Sequence, residues 1–368
     1  MTSGQERPLL LDVVIPVHTV DRPVHRAVGS VLGDGDDARV RVTVVCHEVP
    51  VEDIRPLLGG LSPERVRLIA HSDGIHSPAG PLNAGVAAAT AAYVAVMGSD
   101  DFFEPLAIAA YLDELERSGP DVLIVPLRHQ SGELLRNPLV RWRRRRRLHP
   151  VHDRLFYRSS PLALIRRSLL AQRSEPFVGG LPAGEDLELS TWLWSQPIRI
   201  DFPVDLPAYV IGDDAGDRVT LVPRPASTAL EPVRRLLSQP WVAGLARPVC
   251  RAIAIKLLRI HVLGALRARR DPSLWDEQDR SALAETVRAA LELVTGVLDP
   301  FSASDRLMLE RAARADDDGI DGVLAAVSAA DTDSWRRRTL PRSPLRALDR
   351  ESTLRRFLLY RLDRWGGE

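Results

Sequence analysis

The stretch "VAVMGSDDFFEP" (residues 94–105) decides how this chain is read. Four apolar residues and a glycine run straight into Ser99, Asp100 and Asp101. Adjacent carboxylates repel, and the tip of an apolar strand gives them no intrinsic support. Either something positive belongs beside them, or they start the next helix. Asp is a favoured N-cap and Pro105 suits a first helical turn, so both readings stand on the residues alone.

Working outward, the same strand pattern recurs upstream. "LLDVVIPV" (10–17), "VRVTVVCHEVP" (40–50), "RVRLIAH" (65–71) and "YVAVMG" (93–98) are short apolar runs closed by proline or polar turns. Between them lie "RPVHRAVGSVL" (22–32), with Val24, Val28, Val31 and Leu32 on one helical face, then "IRPLLGGL" (54–61) and the small-residue run "PLNAGVAAATAA" (81–92). Strands alternating with helices predict an α/β, Rossmann-like architecture, a mostly parallel sheet with helices on both faces. Ligands bind such sheets beyond the carboxyl ends of the strands. Asp100, Asp101, His18 and His47 fall at such ends. A helix (105–119), a strand "DVLIVPL" (121–127) and a polar segment (128–153) follow. "GEDLELSTWLWSQ" (184–196) reads as a helix with acids in its first turn, and "IRIDFPVDLPAYVI" (198–211) as strand broken by prolines. From about Pro232 the pattern is helical only. The expected domains are therefore 1–228, α/β, and 229–368, all-α.

Composition narrows the function. With 49 basic and 49 acidic residues, the molecule as a whole is not built to coat nucleic acid. Lys256 is the only lysine. Cys46 and Cys250 sit far apart in apolar runs and read as free thiols of a reducing compartment. The N-terminal apolar run is interrupted by Asp12, unlike a signal peptide. "VCRAIAIKLLRIHVLGAL" (249–266) carries Arg251, Lys256, Arg259 and His261, too many charges for a spanning helix. A cytoplasmic protein is expected.

Three stretches together, "VVIPVHTVDRPVHRAVGSVL", "PLNAGVAAATAAYVAVMGSDDFFEP" and "GEDLEL", resemble the landmarks of glycosyltransferase family 2, with its GT-A fold. The resemblance covers about residues 10–215, and residues 229–368 resemble nothing identified. It implies an inverting enzyme that moves a sugar from a nucleotide-diphosphate donor, a UDP-sugar in the first place, to an acceptor hydroxyl in cell-surface polysaccharide or glycoconjugate synthesis. Charge grows on the leaving diphosphate as the glycosidic bond breaks, and Mn²⁺ or Mg²⁺ would neutralise it. Over the family's Asp-X-Asp motif this chain has Gly98-Ser99-Asp100. The resemblance thus gives Asp100 as metal ligand, with Asp101 in support and Ser99 beside the donor. It gives Asp186 as the base that takes the acceptor's proton and Glu185 as its support. The residues alone also allow both as acids favoured at a helix N-terminus.

For the nucleotide, the resemblance points to Pro16, Val17 and His18 after the first strand, to His47 after the second, and to Asp73 and Asn83. Arg218 falls where the family places a pyrophosphate-facing loop. His18 as a solvated loop residue and Asp73 as a turn residue remain equally simple readings. The arginine run (Arg141, Arg143 to Arg147) around Trp142 is either a solvated face, a flap over diphosphate, or a site for an anionic acceptor or membrane surface. The amphipathic C-terminal helices leave peripheral contact with the inner face of the membrane open. The expected acceptor is a saccharide, lipid-linked or polymeric. The competing function is a catalytically silent GT-A-like saccharide-binding or scaffold protein, which would bind a donor without releasing nucleotide.

Overall fold

The computed structural model describes residues 8–33, 37–59, 61–214 and 224–363. Its strands are β1 (Leu11–Val17), β2 (Val40–His47), β3 (Val66–His71), β4 (Tyr93–Val96), β5 (Phe102–Phe103), β6 (Val122–Ile124), β7 (Leu127–His129), β8 (Leu134–Leu135), β9 (Ala163–Arg166), β10 (Ile200–Asp201) and β11 (Tyr209–Ile211). One sheet of seven strands runs in the order β10-β6-β9-β4-β1-β2-β3, and a second of four runs β5-β11-β7-β8.

β1 is apolar on both faces because both faces are covered. Its register against β2 pairs Leu11 with Val40 and Val17 with Cys46. Asp12 is buried in this strand without cost to the ladder. Burial pushes its carboxyl up, but Arg41, with hydrogen bonds of 2.8 and 2.9 Å, and the amides of Thr90 and Ala91 outweigh that and leave it below the usual carboxylate range. The helix Ala79–Ala88 packs on β1 and β2 at close quarters, as its small residues allow. A methyl group on Gly85 would press into Val14 Cγ1 and lie 3.1 Å from Val45 Cγ2.

The expectation of a mostly parallel sheet needs correction. β1 is parallel to β2 and β4, β2 to β3, and β6 to β10. β9, however, inserts between β4 and β6 and runs antiparallel to both, with Val94 and Val122 each opposite Ile165. The second sheet is also mixed: β11 is antiparallel to β5 and parallel to β7, and β7 is antiparallel to β8. The run "DVLIVPL" does not stay one strand. It splits at Pro126 between the two sheets, because proline offers no N–H to a ladder. Direction is not written in apolar periodicity, so a short antiparallel insertion leaves no local trace.

The separate all-α cap is corrected as well. Helices occur along the whole chain, and the first of those after residue 226 share a core with the sheet. Val233 and Leu236 of the helix Ala226–Leu237, and Ile253 and Leu257 further on, belong to one buried cluster with Leu189, Leu193, Trp194, Ile165 and Val122. Trp194 is fully buried there, its indole N–H donating to the Arg158 carbonyl at 2.9 Å. A further cluster, around Phe301, Leu283 and Leu309, holds the distal helices together.

The close approach at position 85 is testable. Gly85→Val overpacks the helix against β1, and we expect a loss of about 1–3 kcal/mol of stability, read as a lowered melting temperature. An unchanged melting temperature would contradict that packing.

Candidate active site

Two carboxylate pairs come from different elements. After β4 the chain turns, with the Asp101 amide donating to the Gly98 carbonyl at 3.2 Å, and enters β5. The next long helix begins at Ala107 with Leu106 at its cap position, so neither aspartate caps it. The positive partner is Arg22, from the loop after β1. Its guanidinium lies 2.8 Å from Asp100 Oδ2, and both side chains are largely removed from water, 7% and 17% exposed. Arg26 adds a hydrogen bond to the Asp100 carbonyl and an ion pair with Asp214 at 2.5 Å.

Asp101 points the other way, into the second sheet. It accepts hydrogen bonds from the Tyr209 hydroxyl and, at 2.8 Å, from the Gly212 amide. Burial pushes its carboxyl up; the Tyr209 bond opposes that and Asp100 adds to it. Two glycines shape this turn. A Cβ on Gly98 would lie 2.5 Å from Asp101 Oδ2 and 3.1 Å from Asp100 Oδ1, and one on Gly212 would collide with the Asp100 carbonyl. Both carboxylates thus crowd position 98.

The second pair precedes the helix Leu187–Ser195. Asp186 occupies its cap position, yet its side chain makes no capping hydrogen bond. It meets the Ser160 hydroxyl instead. Burial raises its carboxyl, while Ser160 and the more distant Lys256 pull it down. Glu185 is pushed up to about 7, by burial first and by Asp186 second. Gly184 has φ of 82°, a left-handed conformation that places the pair at the helix start.

Asp100, Asp101, Glu185 and Asp186 all line one cavity of about 340 Å³, walled by Arg22, Leu82, Phe177, Tyr209 and Gly212. A larger hollow of about 500 Å³, among Glu104, Arg128 and Asp205, includes none of the four.

The nucleotide candidates gather next door. Pro16, Val17, His18, His47 and Ser99 line an adjoining cavity of about 190 Å³ that shares Arg22, Gly98 and Asp100 with the first. His47 is buried and its Nε2 lies 3.0 Å from Asp73 Oδ1; His71 Nε2 lies 3.1 Å from Asp73 Oδ2. The His47 bond, with the Ile75 amide and His71 behind it, holds the Asp73 carboxyl well below the usual range. These three side chains offer two ring nitrogens and a carboxylate oxygen within 4.8 Å of one another. Asn83 is engaged elsewhere. Its side chain donates to the Phe177 carbonyl at 2.8 Å and accepts from the Phe177 amide at 2.9 Å, clamping the helix to the cleft wall. Arg218 lies outside the described residues.

The arginine run does not reach the cleft. Arg141 pairs with the buried Asp153 at 2.8 Å, Arg146 with Glu114 at 3.1 Å and Arg145 with Asp205 at 3.5 Å, leaving Trp142 exposed. Among the described residues no helix is long and apolar enough to cross a membrane. Cys46 and Cys250 are buried free thiols.

Sequence reasoning passed over Arg22, Tyr209, Gly212 and Ser160. Arg22 had a signal, a cation close after one strand end and a pair of anions after another. Tyr209 and Gly212 had none, since their place in the site depends on a second sheet that periodicity does not disclose.

Residues 12–173 match the family model described as Glycosyl transferase family 2. Among solved structures, the chain is similar to S. aureus TarS 1–349 in complex with UDP-GlcNAc, with a TM-score of 0.73 and 16% identity over 89% of this chain and 93% of that one. It is similar to the same protein in complex with UDP, TM-score 0.67 and 17% identity over the same shares. Against the longer TarS structure the TM-score is 0.65 at 17% identity, over 87% of this chain and 55% of that one. At such identities the likeness is one of fold. It still overturns the expectation that residues 229–368 are without a counterpart, because 89% of the chain cannot be covered without much of that region. No curated protein matches the chain in sequence.

Glu185 gives a pH test of the cleft. Its raised value means the folded protein holds a proton that the unfolded chain releases near its ordinary value of 4.5. Stability therefore falls as pH rises from there to about 7, then levels. Glu185→Gln removes that loss. Its melting temperature relative to wild type should climb across the same window and stay flat below it; a constant difference would contradict the buried, proton-holding Glu185.

Proposed function

We propose that this cleft belongs to an inverting glycosyltransferase that moves a sugar from a nucleotide-diphosphate donor to an acceptor hydroxyl. The observation that carries the reading is the convergence of Asp100 and Asp101, at a strand end, and Glu185 and Asp186, at a helix start, on one cavity. The family match over residues 12–173 and the TarS-like fold support it. TarS structures with UDP-GlcNAc and UDP favour a uridine-diphosphate sugar as the donor.

The nucleoside lies in the smaller cavity, against Pro16, Val17, His18 and His47, with Asp73 fixing the His47 ring. The diphosphate lies at the shared wall, where Arg22 and Asp100 meet. Asp186, ionised, takes the proton of the acceptor hydroxyl. The oxygen attacks the anomeric carbon from the side opposite the diphosphate, and the glycosidic carbon–oxygen bond breaks with its electron pair passing to the β-phosphate oxygen. Glu185, which holds a proton to about pH 7, hydrogen-bonds the acceptor rather than competing for its proton. A base placed in this way contributes about 10²–10⁴-fold.

The donor set fits a hard divalent cation, Mn²⁺ or Mg²⁺, through Asp100. The Arg22 pair engages Oδ2 and the Gly98 cradle lies at Oδ1, whereas Asp101 is tied to Tyr209 and Gly212. Bound there, the cation would neutralise charge on the leaving diphosphate. The His47, His71 and Asp73 trio is a second donor set, of the imidazole-rich type. We place the cation at Asp100 because that side chain faces the cleft containing the base. The acceptor is a saccharide hydroxyl, free or on a lipid-linked or polymeric chain of the cell surface.

A panel of sugar nucleotides, with and without Mn²⁺, tests the reading through nucleotide release. Wild type should release nucleotide from one donor. Asp186→Asn should lose about 10²–10⁴-fold in turnover while still binding that donor. Asp100→Asn should lose both turnover and the response to Mn²⁺. Equal release by all three proteins, or binding by wild type without release, defeats the proposal. In the same assay Asp73→Asn should raise the donor KM with a smaller change in kcat, since it acts through the nucleoside cavity.

A further inference from the structure

Large apolar side chains gather in water at one place, far along the chain from the cleft acids. Among the described residues, Trp335, Leu345, Leu348, Phe357, Leu358 and Leu362 are exposed, Leu345 and Leu348 by 83% and 80%. They come from three consecutive elements: the helix Trp335–Thr339, the short 3-10 turn Pro344–Leu348 and the helix Thr353–Asp363. The last helix packs against both of the others. A contiguous patch of this kind marks an interaction surface, unlike apolar residues scattered singly.

The helix Thr353–Asp363 is mounted with its apolar side outward. Phe357, Leu358, Arg361 and Leu362 fall on one side of it, and Arg356 and Tyr360 on the other. The polar side is the one that faces the protein. Arg356 is buried, its guanidinium 3.7 Å from the centre of the Tyr157 ring, and the Tyr360 hydroxyl donates to Asn137 Oδ1 at 2.8 Å. Just ahead of the helix, Glu351 accepts from the Tyr157 hydroxyl at 2.9 Å and pairs with Arg154 at 3.5 Å. This is the reverse of ordinary core packing, where the apolar stripe turns inward.

The charge beside the apolar face has one sign. Arg336, Arg355 and Arg361 are exposed and form no ion pair among the described residues; the Arg361 guanidinium lies 4.9 Å from the centre of the Phe357 ring. The acids between them turn inward: Asp349 pairs with Arg251 at 2.9 Å, and Glu351 is buried. Phe357 also lines a hollow of about 470 Å³ whose walls carry Arg259, Arg267, Arg338 and Arg356. The acids of that hollow are engaged, Asp305 with Arg267 at 2.5 Å and Asp331 with Arg270. Arg356 Nη1 is buried there without a hydrogen-bond partner. An apolar face set among arginines fits an anionic lipid surface, where the apolar groups leave water at the headgroup boundary and the guanidinium groups reach phosphate. A second copy of the chain fits poorly. A two-fold contact sets each patch against itself, and arginine would face arginine.

We propose that this C-terminal face docks the protein on an anionic lipid bilayer, with Leu345, Leu348, Phe357, Leu358 and Leu362 entering the headgroup boundary and the hollow at Arg338 and Arg356 receiving a lipid phosphate. The proposal is independent of the roles of Asp100 and Asp186.

The test is co-sedimentation of the full chain with vesicles of phosphatidylcholine alone, and of phosphatidylcholine with phosphatidylglycerol, at low and high salt. Wild type should bind the mixed vesicles at least about tenfold more tightly than the neutral ones and lose most of that binding at high salt. Leu345→Ser with Leu348→Ser should weaken binding by about tenfold or more. Arg355→Gln with Arg361→Gln should do the same, and Arg338→Gln should cost about fivefold. These side chains are exposed, so melting temperatures and nucleotide release without vesicles should stay at wild-type values, which keeps a failure of docking separate from a failure of the proposed reaction. No binding to the mixed vesicles, or equal binding to both kinds, overturns the proposal whatever the variants do. So do leucine substitutions that spare vesicle binding but split a dimer in light scattering, since the face would then join two copies. Undiminished binding by Arg338→Gln overturns the placement of phosphate in the hollow.

Discussion

The cleft exists because Asp101 ties two sheets together. Its carboxylate leaves the end of β4 and takes the Tyr209 hydroxyl and the Gly212 amide of the second sheet. The tie fixes the turn at residues 98–101, and with it the direction in which Asp100 faces. Hydrogen bonds to a buried carboxyl are stronger than their exposed counterparts, and losing one leaves an unsatisfied polar group. The two glycines follow from this contact, since side chains at 98 and 212 would occupy the space where the sheets meet. Position 98 has no room for a side chain as long as this turn stays closed.

Charge in the site is managed in two ways. Asp100 is balanced at contact distance by Arg22. Asp186 has no ion pair at contact distance among the described residues; burial pushes its carboxyl up and the Ser160 hydroxyl opposes this. Elsewhere the abundance of arginine has a structural use. Three of the six arginines around Trp142 are stapled to Asp153, Glu114 and Asp205.

How much of this was legible depended on range. The strands from 11 to 17, 40 to 47 and 93 to 96 are largely buried, and their apolar runs show in sequence, as does the half-buried edge strand from 66 to 71. Asp100 and Asp186 were readable as candidates because strand ends and helix starts are places where chemistry collects. β9 was not readable, since its direction is set by partners on either side. Nor was the second sheet, built from two- and three-residue strands. Lys256 was visible as an anomaly, a lone lysine in an apolar run, but it read as evidence against a membrane span; its contact with His261 depends on the π-winding of Leu257–Val262, which periodicity does not disclose. The family resemblance pointed to four acids that line one cavity, and it left residues 229–368 without a counterpart, which the fold comparison corrects.

Trp194 and Leu193 sit on the helix that begins at Asp186, and they are covered in part by Val233, Leu236 and Leu257. A protein shortened to its α/β portion would therefore present a bare tryptophan and leucine surface to solvent, on the very helix that Asp186 precedes. Such a fragment is a poor minimal transferase and a ready nucleus for aggregation. Grafting a different tail onto this scaffold would demand a matching apolar surface as well as a matching sequence of steps in catalysis.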